Sequence, residues 1–109
     1  MSKEKEPVVF RVFRDTGDCL ALFPFIPSDN AGYQCLCYQH LGQHSGGYPL
    51  ICRGITRPAK PKEYRDLARE LRGLGYNLRV LKRVPRNALQ ARQRTLKEWD
   101  ESAKSKAKQ

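Results

Sequence analysis

The chain has 109 residues and a formal net charge of +10, a length that supports one domain with a modest core and no room for a second. Its longest apolar runs, 20–26 and 48–51, are far too short to span a bilayer, and the charged opening Met1-Ser2-Lys3-Glu4-Lys5-Glu6 has no apolar stretch after it of the kind a secretory leader carries. A cytoplasmic location without a membrane partner is therefore the expectation, with the four cysteines reduced.

Residues 8–14 read as a strand, rich in β-branched and aromatic side chains and alternating from Phe10 onward. Asp15-Thr16-Gly17-Asp18 supplies a turn into a second strand over 19–26, in which Pro24 marks an edge or a bulge. By composition 27–32 is a loop, 33–41 a third strand and 42–47 a Gly-rich loop. Residues 48–56 read as a fourth strand, broken near Gly54.

From Pro61 the period changes. Tyr64, Leu67, Ala68, Leu71 and Leu74 recur at helical spacing, so 61–74 is an amphipathic helix, with Pro61 in its first turn and Gly73 and Gly75 at its stop. Residues 77–84 read as a last strand with Leu78 and Val80 on one face, ended by Pro85. A C-terminal helix follows over 86–102. Its seam of Leu89, Leu96, Trp99 and Ala103 is too thin to hold a helix of this length in water unless it docks. Residues 1–7 and the basic tail 104–109 are expected to be disordered.

The sum is one α+β domain over 8–103: an antiparallel sheet of three to five strands, one packed helix and a C-terminal helix. The expected core is Phe10, Val12, Leu20, Leu22, Leu36, Leu67, Leu71, Leu78 and Val80.

Cys35, Cys37, His40 and His44 have C-x-C-x2-H-x3-H spacing, and Cys52 lies further on. On a strand Cys35 and Cys37 share one face and His40 points to the other, which opposes tetrahedral convergence. Nor is C-x-C the C-x2-C knuckle of structural zinc sites. No metal site and no cofactor is expected, and burial in the core is the reading for the thiols. Asp29, His40, His44, Ser45 and the cysteines are residue types used in acyl transfer, but no nucleophile-elbow signature surrounds them. Gly42–47 lacks the Lys-Ser/Thr of a phosphate loop. No catalytic residue is assigned, and the chain is read as a non-enzyme.

The stretch from Phe10 to His44, above all Ala21-Leu22-Phe23-Pro24, Ile26-Pro27-Ser28-Asp29 and Tyr38-Gln39-His40-Leu41-Gly42-Gln43-His44, resembles a group of short bacterial proteins, some of them near mobile elements. The resemblance continues through Glu63-Tyr64 to Gly75-Tyr76-Asn77-Leu78 and covers about two thirds of the chain. It implies a bacterial or phage setting and assigns no activity to any residue.

Charge is the strongest functional signal. Residues 1–52 carry four Lys/Arg and five Asp/Glu, a net −1; residues 53–109 carry seventeen and six, a net +11. Such asymmetry points to a polyanionic partner. On a helical wheel Lys62, Arg65, Arg69 and Arg72 form one flank of the first helix, and Glu63, Asp66 and Glu70 the other. A guanidinium row of this kind suits phosphates, although arginine stems covering a sheet edge would look the same. Arg79, Lys82 and Arg83 extend the row, and Arg86, Arg92, Arg94 and Lys97 add cations on the C-terminal helix. Tyr33, Tyr38 and Tyr48 are candidates for stacking on bases. The sequence thus predicts a small nucleic-acid-binding accessory protein, reading phosphates rather than bases. The alternative is an interaction or assembly module that uses Leu89, Leu96 and Trp99 to hold a protein partner or a second copy.

Overall fold

A computed structural model describes residues 5–39 and 43–107. Six strands and three helices follow in the order β1 (Glu6–Phe13), β2 (Cys19–Pro27), β3 (Cys35–Gln39), β4 (Gln43–Gly47), α1 (Pro49–Ile55), β5 (Thr56–Pro58), α2 (Pro61–Gly73), β6 (Leu78–Leu81) and α3 (Ala88–Ala107). The first four strands form an antiparallel meander, and the sheet runs β4-β3-β2-β1-β5. β6 joins it parallel to β1, pairing Glu6 with Leu78 and Val9 with Leu81. β1 thus has β2 along one edge, while β6 and the short β5 divide the other. The α+β class holds, and no helix among the described residues is long and apolar enough to cross a membrane.

Both faces of the sheet are covered. On the first, Val8, Phe10, Ala21, Phe23, Tyr38 and Leu78 pack under Leu67, Ala68 and Leu71 of α2, and Phe10 stacks on Tyr64 with ring centroids 4.5 Å apart. On the second, Val9, Leu20, Leu22, Cys35 and Cys37 pack with Cys52 of α1, joined by Leu81 and Val84. This is why 8–12 is buried continuously rather than in alternation, Arg11 included: a strand covered on two sides hides the side chains of both its faces.

The expected core holds at Phe10, Val12, Leu20, Leu22, Leu67, Leu71 and Leu78; Leu36 is half-buried and Val80 is 39% exposed. Val80 shares the α2 side of the sheet but sits on β6, where cover runs out.

Several boundaries differ from the sequence reading. The Gly-rich segment 43–47 is a strand, paired rung by rung with β3 from Cys35↔Gly47 to Gln39↔Gln43. Residues 49–55, expected to be strand, are helical: Pro49 occupies the first turn, where its missing N–H costs nothing, and Tyr48 at the cap is extended. The strand expected from residue 8 starts at Glu6, because β6 offers it a parallel partner, and α3 runs on to Ala107.

α3 docks in an unexpected way. Among its described side chains the most buried are Ala88 and Arg92, the latter 3% exposed. Arg92 Nε donates to the Gly32 carbonyl and Nη1 to the Pro24 carbonyl, both at 2.7 Å. The second acceptor exists because the β2–β3 register shifts between Phe23 and Pro27, a bulge that withdraws carbonyls from the ladder. Gly32 has a φ of 81°, and a side chain there would press on Gln93 of α3 at 2.9 Å, so conformation and close approach both require glycine. Of the expected seam, Leu89 and Leu96 are half-buried and Trp99 is 55% exposed, and a buried cation anchors the helix beside them.

Arg92→Ala strands two buried carbonyls and is expected to cost about 2–3 kcal/mol, with faster amide exchange through α3. Trp99→Ala is expected to change stability by less than about 0.5 kcal/mol. Chemical denaturation of both variants checks the ordering.

Candidate nucleic-acid interface and a buried thiol cluster

Packing of Leu67, Ala68 and Leu71 onto the sheet fixes the rotation of α2. That rotation leaves Lys62, Arg65, Asp66, Arg69 and Arg72 exposed, with Glu63 and Glu70 half-buried. Both of these half-buried acids are engaged. Glu70 accepts a 2.6 Å hydrogen bond from the Tyr38 hydroxyl, which rises from the sheet beneath. Glu63 takes a two-point contact from Arg57, at 2.8 and 2.5 Å, and also accepts the Lys60 backbone N–H at 2.9 Å. The Arg57 hydrogen bonds, aided by that N–H, hold the Glu63 carboxyl down to about 2. The cations of the flank remain outward, in one line.

Not all the predicted cations join this line. Leu78 of β6 belongs to the α2 side of the sheet and Leu81 to the opposite side, so strand alternation sends Arg79 away from α2. Lys82 and Arg83 are exposed past the end of β6. The single extended row becomes two patches: the α2 flank and the β6 end. Arg92 is withdrawn from any interface by its structural role, while Arg86, Arg94 and Lys97 are exposed. Of the stacking candidates, Tyr38 is buried under α2, whereas Tyr33 and Tyr48 are 54% and 46% exposed.

His40 lies outside the described residues. His44 occupies the rung of Tyr38, one position out of phase with Cys37. Cys35 and Cys37 share the second face, as strand alternation requires. Among the described residues no group of three or more His, Cys, Asp and Glu has the geometry to hold a metal ion.

The second face holds a feature that spacing did not reveal. Cys52, delivered by α1, meets Cys35 and Cys37 of β3. Gly47, on the rung of Cys35, makes the meeting possible: a Cβ there would lie 3.0 Å from the Cys37 sulfur and 3.1 Å from that of Cys52. Beside them is Arg11, 9% exposed. Its guanidinium donates to Thr56 Oγ1 at 2.5 Å, the Thr56 carbonyl at 2.9 Å and the Arg53 carbonyl at 3.4 Å, and Thr56 Oγ1 in turn donates to the Cys52 carbonyl. All of these acceptors are neutral.

The surroundings sort the thiols. Hydrogen bonding with Cys35 and Cys52, reinforced by burial, keeps Cys37 protonated far above the ordinary thiol range. The hydrogen bond from Cys37, with the charge of Arg11, brings Cys52 down to about 7 despite burial. Cys35 is lowered by its hydrogen bond with Cys37, with Arg92 contributing. Cys19, away from this group, is pushed up to about 11 by burial and by Glu63. Only the turn from a predicted strand to α1, which aims Cys52 inward, could have exposed this cluster in the sequence. No family model, curated protein or solved structure matches the chain.

Because the folded-state value of Glu63 is depressed, its contribution to stability is complete above the ordinary 4.5 and lost as pH falls toward 2. An NMR titration should place the Glu63 midpoint near 2, and Arg57→Gln should return it toward 4.5.

Proposed function

We propose that this chain is a nucleic-acid-binding accessory protein that contacts phosphates through Lys62, Arg65, Arg69 and Arg72 and carries out no chemistry on its partner. The supporting observation is that these four cations are exposed on one flank of a docked helix while the flanking Glu63 and Glu70 are bonded to Arg57 and Tyr38. At 1.5 Å per residue the row is about 15 Å long, and a duplex carries a charge about every 1.7 Å of axis, so several phosphates fall within reach. Arg65 and Arg69 repel each other across one helical turn, a strain that a phosphate between them relieves. Arg79, Lys82 and Arg83 form a second cationic patch that a wrapped or single strand reaches. Side chains of this kind position the backbone without reading bases, so binding is largely independent of sequence.

Four phosphate contacts imply that affinity for a short duplex falls about 100-fold between about 50 and 200 mM salt. Arg65→Gln with Arg69→Gln should lower the slope of log affinity against log salt by about two and leave thermal unfolding unchanged. Fluorescence anisotropy with labelled duplex and single-stranded oligonucleotides makes the measurement. Absence of binding at low salt, or an unchanged slope in the double variant, rejects the reading.

A second reading, self-assembly through Leu89, Leu96 and Trp99, draws on one observation. Trp99 lies two turns beyond Arg92 on the same stripe of α3 and is exposed. Sedimentation that shifts with concentration and is abolished by Trp99→Ala favours this reading over the first.

A further inference from the structure

The second face of the sheet holds a buried cation with no carboxylate beside it among the described residues. Among the described residues every acceptor of the Arg11 guanidinium is neutral, and the other ionisable groups that act on it are the cations Arg14 and Arg53 and one anion former, Cys52. A buried, unpaired charge is costly, and a Cys52 thiolate is the counterion within reach. Both sulfurs lie against Gly47, 3.0 and 3.1 Å from where a Cβ would stand, so any other residue there presses on the two together. A cation that stabilises a thiolate, a second thiol against it and a gap kept open by glycine together make a site for two-electron oxidation rather than inert core packing.

We propose that Cys52 and Cys37 form a peroxide-reactive dithiol, with Cys52 the attacking sulfur and Cys37 the resolving one. The Cys52 thiolate attacks one oxygen of a hydroperoxide. The O–O bond breaks, the departing oxygen leaves as alcohol or water after taking a proton, and Cys52 becomes a sulfenic acid. Cys37 then attacks the Cys52 sulfur, its own proton leaving with the sulfenic hydroxyl as water, and the S–S bond forms. Two thiols surrender two electrons, and the hydroperoxide accepts both. Arg53 and Gly54, which follow Cys52 in α1, are exposed, so a small oxidant has one layer of protein to pass. Cys35, two residues from Cys37 on the same strand and face, acts as a neighbour and not as the partner. The resulting disulfide ties α1 to β3.

The test uses the full chain, reduced, desalted and treated with hydrogen peroxide near neutral pH, then mapped by non-reducing mass spectrometry. The expected result is loss of two thiol hydrogens per chain and recovery of one Cys37–Cys52 linkage, with Cys19 and Cys35 free. Treating the chain unfolded in denaturant should scatter the linkages. Cys37→Ser should stop the reaction at a sulfenic acid on Cys52 that dimedone captures, and Gly47→Ala should cut the disulfide yield several-fold by filling the gap. Thiols that stay reduced, linkages that run between chains, or pairing no more selective than in the unfolded chain overturn the proposal. So does a metal ion retained by these thiols after purification. Wild-type pairing decides the matter even where a variant fails to fold.

Discussion

Strand β1 has no side that faces water between Val8 and Val12. β2 takes one edge, β6 and β5 share the other, α2 covers one face, and α1 helps to cover the other. Every buried backbone group of such a strand needs a partner, so its two edges must both be paired along their length. Neither β5, with three residues, nor β6, with four, is long enough alone to close the second edge. The chain between them, which includes α2, is the connection that lets them lie end to end. The rotation of α2, and with it the outward line of Lys62, Arg65, Arg69 and Arg72, is thus a consequence of how β1 is closed.

A chain of net charge +10 cannot easily place all its cations at the surface of a domain this small, and two arginines are turned inward. Arg92 and Arg11 solve the same difficulty in the same way, by donating to backbone carbonyls that secondary structure does not use: those of the β2 bulge and loop for Arg92, those at the end of α1 and the start of β5 for Arg11. The planar guanidinium, with five donors in fixed directions, fits divergent carbonyls as an ammonium would not. Each arginine works as a bracket, joining α3 to the β2–β3 loop region in one case and α1 to β1 in the other.

Much of the fold was legible because local chemistry and tertiary packing agree. The β-branched run at 8–13, the turn at 15–18, Pro61 opening a helix and the 3.6-residue recurrence of Tyr64, Leu67, Ala68 and Leu71 all carry their meaning in short windows. What was hidden depended on distant partners. Gln43–Gly47 has poor strand propensity and is a strand because β3 offers it an edge. Pro49–Ile55 is apolar and short, a pattern that does not separate strand from helix. At the candidate site, the α2 flank was legible from the wheel, since a helix shows its faces in sequence. The separation of Arg79 from it was not, because that depends on which side of the sheet α2 covers. Arg92 reads as one more surface cation until the β2 bulge supplies its acceptors, and Cys52 reads as a lone thiol until α1 turns it toward Cys37.

The parallel pairing of β1 with β6 also sets an order of events during synthesis. Glu6 leaves the ribosome about 70 residues before its partner Leu78, and at about 5–20 residues per second the wait is roughly 3–14 seconds. During that interval the β1–β2 hairpin can form and β5 can close the edge at Arg11–Phe13, but the stretch from Glu6 to Val9 stays open until β6 arrives. An open edge of that kind is a template for another nascent chain. The edge is closed only when β6 arrives, so slower elongation between β2 and β6 lengthens its exposure.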